Sequence, residues 1–171
     1  MTTTTSAKTM TILGSLTAMQ LILGSLLSIQ FLTTKIAFAF IIVAVTARLF
    51  SPLITAGTTA LAYLLGMLLF PKFTFFPGFI LTAFLTGLVF GYAFHQRPTL
   101  PRIMLATFIV TFVLNLGLNS LWLHWLYQTP WPILFTTRLI QEIITMLIYT
   151  VSLSALFKLP LLNHLTTRLS S

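Results

Sequence analysis

The sequence predicts an all-α membrane protein, a bundle of six transmembrane helices. Of its 171 residues, 57% are hydrophobic and 6% are charged, whereas a soluble domain carries about 25% charged residues. This length accommodates about five or six spans of roughly 20 residues each, joined by short loops. We therefore expect residues 1–171 to form one integral membrane domain, with no separate soluble domain.

The basic residues predict how the bundle is oriented. The net charge of +8 arises from nine Lys and Arg residues and a single acid, Glu142. In a soluble protein this excess would suggest nucleic acid, but in a membrane protein it indicates basic loops held in the cytoplasm. With six helices both termini share one side, which would carry Lys8, Arg48, Arg97, Arg102, Lys158 and Arg168. Lys35 and Lys72 would lie on the opposite side. We therefore expect cytoplasmic termini, a surrounding lipid bilayer and no nucleic-acid partner.

Apolar segments give the helices in order. We expect them at about 10–31, 36–48, 52–70, 77–94, 103–126 and 133–157. The first segment lacks a clustered basic start and a convincing cleavage site, so we expect a retained helix rather than a signal peptide. The second is short for a span at about 1.5 Å per residue. The Phe-rich segment 71–78 is flanked by prolines, which predicts an ordered loop before the fourth helix.

Small residues recur at helical spacing in two of these helices. Ala83, Gly87 and Gly91 are four residues apart in the fourth helix, and Gly14 and Ala18 are four apart in the first. Residues at this spacing share one helix face. Such a face lets another helix backbone approach closely in a bilayer, where lipid gives no hydrophobic reason to associate. We expect the stripe in the fourth helix to be structural.

The sequence argues against an enzyme or a metal protein. Cysteine is absent, and His95, His124 and His164 have neither ligand spacing nor a nearby carboxylate. A single acid excludes a pair of carboxylates for acid–base catalysis. No glycine-rich loop ends in a lysine that could cradle phosphates. We expect no enzymatic activity, no metal and no cofactor, with any ATP handled by partner subunits.

Charged and amide side chains in the last two helices are the strongest candidates for ligand contacts. Arg138 and Glu142 lie four residues apart on one face, at a depth where charges are costly and face each other or a cavity. They form either a structural ion pair or a site where Arg138 meets a ligand that Glu142 orients. Asn115, Asn119 and Trp122 share a face of the fifth helix. The amides either hold helices together by hydrogen bonds or form hydrogen bonds with the edge of a polar heterocycle that stacks on Trp122.

The candidate residues share the outer side of the predicted bundle. Aromatic, amide and basic groups at one mouth predict an aromatic ligand that carries negative charge. The Phe-Phe-Pro-Gly turn before the fourth helix would form a lid over this ligand. The predicted site consists of Lys35, Lys72, Phe75, Phe76, Pro77, Gly78, Asn119, Trp122, Arg138 and Glu142.

Three stretches resemble one family of membrane proteins. FPGFILTAFLTGLVFG at 76–91, NLGLNSLWL at 115–123 and TRLIQEII at 137–144 are similar to the folate-specific substrate-binding (S) component of energy-coupling factor (ECF) vitamin transporters. The resemblance implies a six-helix protein of the bacterial cell membrane that captures folate from outside. It also implies docking on a transmembrane (T) component with two ATP-binding-cassette ATPases, and delivery of the vitamin by toppling in the bilayer. In that family a small-residue face on the first helix meets the T component, and Gly14 and Ala18 match this face.

The sequence departs from the family pattern at three places. Ser25 stands where a basic residue is common, Tyr63 where an aspartate is common, and Gln141-Glu142 where a more basic or amide pair is common. Two alternative functions remain open. One is an S component for another vitamin, of the pyridoxine or hydroxymethylpyrimidine type. The other is a membrane assembly protein that binds no small molecule.

Overall fold

The described part of the chain forms six helices, as the sequence predicts. The computed structural model describes residues 7–25, 28–31, 34–71, 74–95 and 98–158. Within these ranges the helices are α1 (Ala7–Ser25), α2 (Ala39–Leu49), α3 (Pro52–Leu69), α4 (Pro77–Phe94), α5 (Leu100–Tyr127) and α6 (Trp131–Lys158). The predicted all-α, six-helix fold is confirmed over the described residues.

Length and composition make four of the helices, α3 to α6, capable of crossing a bilayer. α2 is apolar but has only 11 residues. α1 has 19 residues, and Lys8, Gln20 and several hydroxyl side chains interrupt its apolar sequence. Large apolar side chains cover the outside of the bundle; Leu53, Tyr92 and Ile140, for example, are each about two-thirds exposed. In water such patches would promote aggregation, whereas in a bilayer they contact lipid.

A short β-hairpin replaces the predicted end of the first helix and the start of the second. α1 ends at Ser25, and strands β1 (Ser28–Phe31) and β2 (Thr34–Ala37) pair antiparallel, with Ile29 opposite Ile36. The predicted helix bounds at residues 31 and 36 therefore do not hold. SIQF alternates polar and apolar residues, and TKIA places Lys35 between two β-branched residues, Thr34 and Ile36; this pattern favours a strand over a helix.

α5 is α-helical at both ends and widened in the middle. A π-helix, Ile109–Leu118, lies between the α-helical turns Leu100–Phe108 and Asn119–Tyr127. π-helical segments have wider turns than an α-helix and often occur at functional sites. The helix ends at Gln128, which has a positive φ of 54° and donates its backbone N–H to the carbonyl of His124 at 2.8 Å.

The predicted small-residue stripe packs α4 against α3, and its three residues are buried. A Cβ atom on Gly87 would lie 2.7 Å from the Cα atom of Ala56 and 2.8 Å from the carbonyl oxygen of Thr55. A Cβ atom on Gly91 would lie 2.5 Å from the Cα atom of Pro52. The two helix backbones therefore touch at positions one turn apart, where only glycine fits.

We expect Gly87→Val to lower the melting temperature of the detergent-purified protein. The added side chain meets backbone atoms that cannot move aside, and overpacking of this kind costs about 1–3 kcal/mol. Gly57→Val is the matched control, because Gly57 is exposed on α3 and a Cβ atom there would have no neighbour within 4 Å. Both variants carry the same β-branched penalty in a helix. Equal losses of melting temperature would contradict the close approach of α3 and α4.

Buried apolar side chains join α2, α4, α5 and α6 in one core. Phe40 of α2 stacks on Tyr149 of α6, with ring centroids 3.9 Å apart. Phe90 and Phe94 of α4 are fully buried, and their ring centroids lie 5.1 Å apart. Stacked and tilted aromatic pairs add about 0.5–1.5 kcal/mol beyond the area that they bury. These contacts hold the short α2 in the bundle.

Candidate ligand-binding site

A cavity of about 240 Å³ lies inside the bundle, and all six helices contribute to its lining. Its wall combines apolar and aromatic side chains with a limited set of polar groups, a composition typical of small-molecule sites. One lining residue from each helix, in chain order, is Gln20, Phe40, Thr59, Thr82, Asn115 and Arg138.

One face of α6 supplies the charged part of the lining. Arg138, Glu142 and Tyr149 line the cavity, and Thr145 is buried on the same face. Their spacings of four, three and four residues follow the turn of an α-helix. Residues between them, such as Ile140, are exposed on the outside of the bundle. α6 therefore turns a polar stripe inward and an apolar surface toward lipid.

The Arg138–Glu142 pair leaves hydrogen-bonding groups open. Their side chains are only 4% and 2% exposed, and Arg138 Nη2 lies 4.0 Å from Glu142 Oε1, which is too long for a hydrogen bond. Arg138 Nη1 donates to the Ser120 hydroxyl at 3.2 Å. Arg138 Nε and Glu142 Oε2 are buried without a partner among the described residues. A buried polar group without a partner costs about 1–3 kcal/mol, more when it is charged. A structural ion pair alone does not explain this arrangement, whereas a ligand in the cavity could satisfy both groups.

Amide side chains add further open groups. Asn119 donates from Nδ2 to Asn115 Oδ1 at 3.4 Å, and its own Oδ1 is buried without a partner among the described residues. Gln20 of α1 donates from Nε2 to the Thr46 hydroxyl at 3.1 Å, and its Oε1 is likewise unpartnered there. The sequence prediction missed Gln20. An amide within the apolar run AMQLIL was the available signal, since polar groups in membrane helices are rare and face the interior.

Two residues of the predicted lid, Phe76 and Gly78, pack with Trp122 in an aromatic layer beside the cavity. Trp122 is not part of the lining; its Nε1 donates to the hydroxyl of the lining residue Thr82 at 3.0 Å. The ring centroids of Trp122 and Phe76 are 5.6 Å apart, and Phe76 also contacts the lining residue Phe79. A Cβ atom on Gly78 would lie 2.5 Å from the Phe76 ring and 2.6 Å from that of Trp122. This layer holds the lining residues of α4 in place.

The structure separates the predicted site residues into groups. Asn119, Arg138 and Glu142 line the cavity, and Phe76, Gly78 and Trp122 pack one layer behind it. Phe75 and Pro77 are exposed. The backbone of Lys35 lies in β2, whereas its side chain and the whole of Lys72 lie outside the part of the chain that the structure describes.

Several lining residues stand outside the predicted site. Ser25 and Tyr63, two of the departures from the family pattern, both line the cavity. Thr59, Thr86 and Tyr149 also contribute polar atoms to its wall. Each belongs to an otherwise apolar segment, so spacing alone did not distinguish the side that faces inward.

Gly14 and Ala18 lie on the outside of the bundle. Both are exposed, and apart from its chain neighbours and its own helix backbone a Cβ atom on Gly14 would meet no described atom within 4 Å. Gln20, two residues beyond Ala18, is 2% exposed and faces the cavity. α1 therefore presents a small-residue surface outward and an amide inward.

These features define a membrane-embedded binding protein. Among the described residues, no group of three or more His, Cys, Asp or Glu side chains could hold a metal ion. A model of the family described as ECF transporter, substrate-specific component, matches residues 8–169, and the chain belongs to this family. The members are substrate-binding components of transporters and not enzymes, and the family and the apolar helices together identify a multi-pass membrane protein of the bacterial type.

Two curated relatives are named folate transporter FolT. The chain is 34% identical over 142 residues to the protein of Clostridium novyi (strain NT), covering 82% of this chain and 83% of the relative. It is 29% identical over 140 residues to the protein of Leuconostoc mesenteroides, and the match covers 78% of this chain and 75% of that relative. A crystal structure of FolT bound with folic acid matches with a TM-score of 0.85 and 33% identity, over 90% of this chain and 94% of that one. The family resemblance found in the sequence is thereby confirmed.

Proposed function

We propose that this protein is the folate-binding S component of an ECF transporter. The observation that carries the proposal is the internal cavity with open buried groups at Arg138, Glu142 and Asn119. It occurs in a fold shared with a FolT that was crystallised with folic acid. Folate consists of a flat pterin ring, an aminobenzoate ring and a glutamate tail. The cavity combines aromatic and hydrogen-bonding side chains, which suit the flat, polar pterin ring.

The cavity also supports a pure binding role. The acid in its wall, Glu142, lies 4.0 Å from Arg138 Nη2, and the hydroxyl of Thr82 accepts a hydrogen bond from Trp122 Nε1 and donates one to the carbonyl of Gly78. The protein would therefore bind the vitamin without changing it, and without a metal or cofactor of its own. Energy for uptake would come from ATP bound by two partner ATPases.

Docking on the T component would use the outer face of α1. Gly14 and Ala18 are exposed and small, and small residues let a partner helix approach closely in lipid.

The basic residues near the helix ends on the side that holds the two termini support a cytoplasmic location for the termini. Among them Lys8, Arg102 and Lys158 are exposed, and Arg48 Nη1 donates to the carbonyl of His95 at 2.9 Å. Arg97 and Arg168 lie outside the described residues.

Tryptophan fluorescence tests the ligand. Because Trp122 contacts the cavity wall through Thr82, we expect folic acid to quench the fluorescence of the purified protein with a submicromolar midpoint. An excess of pyridoxine or hydroxymethylpyrimidine should leave the folate titration unchanged. A flat folate titration would contradict the proposal. Displacement of folate by one of the other compounds would instead favour an S component for that vitamin.

A further inference from the structure

The two charged side chains of the cavity wall stand apart although they share one face of α6. Arg138 Nη2 and Glu142 Oε1 are 4.0 Å apart, whereas a charge-assisted hydrogen bond between such groups is about 2.7–2.9 Å long. Side chains four residues apart on a helix are close enough to form that bond. Both side chains are buried, and a buried charge is stabilised by direct hydrogen bonds to its partner. A contact to one of the two groups therefore has to keep the pair open.

The hydroxyl of Ser120 makes a contact of this kind. Its Oγ accepts a hydrogen bond from Arg138 Nη1 at 3.2 Å, between α5 and α6. Ser120 is fully buried and is not part of the cavity lining, unlike its neighbour Asn119. The guanidinium is thus bonded through Nη1 to a group outside the cavity. Arg138 Nε and Glu142 Oε2 have no partner among the described residues and remain able to bond a ligand.

We propose that Ser120 is a positioning residue, which holds Arg138 away from Glu142 so that both side chains can bind the ligand. Without the hydroxyl, the guanidinium would move about 1 Å toward the carboxylate and form charge-assisted hydrogen bonds with it. The closed pair would satisfy its own buried groups, and a ligand would first have to open it. This inference rests on the proposed function and adds how the empty site is kept ready for its ligand.

The proposed role and a packing role predict opposite changes in the stability of the empty protein. A hydroxyl that only joins α5 to α6 contributes a hydrogen bond, so its loss lowers the melting temperature. A hydroxyl that holds a charged pair open serves binding at the expense of stability, as groups at functional sites often do. Its loss should therefore raise the melting temperature of the empty protein and weaken the binding of the ligand.

Ser120→Ala tests the proposal on the purified protein. We expect it to bind folic acid about tenfold more weakly than the wild type, because closure of the pair lowers the fraction of protein that is ready to bind. We expect its melting temperature without ligand to be higher than that of the wild type. Alanine also favours a helix more than serine does. The same substitution is therefore made in Arg138→Met/Glu142→Leu, where no charged pair can close, and the rise should be clearly smaller there.

Thr107→Val is the matched control. Thr107 is also a fully buried residue of α5 outside the cavity lining, and its hydroxyl lies 3.0 Å from that of Thr150 on α6. This variant loses a hydroxyl contact between the same two helices and leaves the charged pair unchanged. We expect a lower melting temperature and an unchanged affinity for folic acid.

Two results would overturn the proposal. One is a melting temperature that Ser120→Ala lowers, or that it raises equally with and without the charged pair, since Ser120 would then be a packing residue. The other is an unchanged affinity of Ser120→Ala for folic acid. If folic acid does not bind the wild type, the proposed function fails. The melting temperatures in the two backgrounds would then decide alone whether Ser120 holds the pair apart, so the two failures are distinguishable.

Discussion

Arg138→Ala is expected to weaken folate binding by about 100-fold or more. A hydrogen bond to a charged group contributes about 1.5–3 kcal/mol, and each 1.4 kcal/mol corresponds to about a tenfold change in affinity. The guanidinium offers at least two such bonds to the cavity, because only its Nη1 has a hydrogen-bond partner among the described residues. The change also leaves Glu142 buried without its counter-charge, which is strongly unfavourable. Equilibrium binding of radiolabelled folic acid measures the effect.

A variant without either charge separates lost binding from lost folding. Replacing a buried ion pair by apolar residues of similar size is often neutral for stability. Arg138→Met/Glu142→Leu should therefore keep the melting temperature of the empty wild-type protein, and it should lose affinity for folate as Arg138→Ala does. Folate affinity close to that of the wild type in this double variant would return the pair to a purely structural role.

Gly14→Leu/Ala18→Leu is expected to abolish folate uptake while folate binding survives. The two residues are exposed on the outer face of α1, away from the cavity-lining Gln20. Leucine side chains would hold a partner helix away from the backbone, and close approach at small residues is what drives helix association in lipid. Uptake of labelled folate by cells should fall at least about tenfold, whereas the purified variant should bind folate with unchanged affinity.

Gly57→Leu is the control for this experiment. Gly57 is an exposed glycine on α3, and apart from its chain neighbours and its own helix backbone no described atom lies within 4 Å of the position that its Cβ would take. It therefore tests whether any bulky residue on the bundle surface blocks uptake. Co-purification with the T component should be lost in the α1 variant and retained in Gly57→Leu. Persistent uptake by Gly14→Leu/Ala18→Leu would place the docking face elsewhere on the bundle.

Hydropathy predicted the helices well because lipid imposes length and apolarity on every span. The predicted starts of α3 and α4 were correct because each helix begins with a proline, Pro52 and Pro77. The paired strands Ser28–Phe31 and Thr34–Ala37 were missed because each has only four residues. A run that short cannot be told from the end of an apolar helix by periodicity alone. The π-helix in α5 depends on how the helix packs, and its sequence IVTFVLNLGL carries no distinctive signal.

The site was predictable where polarity stood out against lipid. Arg138, Glu142 and Asn119 were found because charges and amides in membrane helices are rare and face the interior. Trp122, one alternative for a surface on which the ligand could stack, lies outside the cavity lining and donates a hydrogen bond to Thr82. Its spacing from Asn115 was counted with an α-helical period, whereas a π-helical segment that ends at Leu118 turns less per residue. Tyr149 and Phe79 could not be assigned to the cavity from sequence, because aromatic side chains are equally common in the core and at the lipid surface.

Identification of the small molecule that co-purifies with the protein tests the central claim most directly. The wild-type chain and Arg138→Met/Glu142→Leu would be purified from cells supplied with a mixture of vitamins, and the extracted ligand identified by mass spectrometry. We expect about one folate per wild-type chain and little folate on the double variant, in keeping with a site whose buried polar groups must be matched by the ligand. Another vitamin on the wild-type protein, or equal folate on both proteins, would contradict the proposed site.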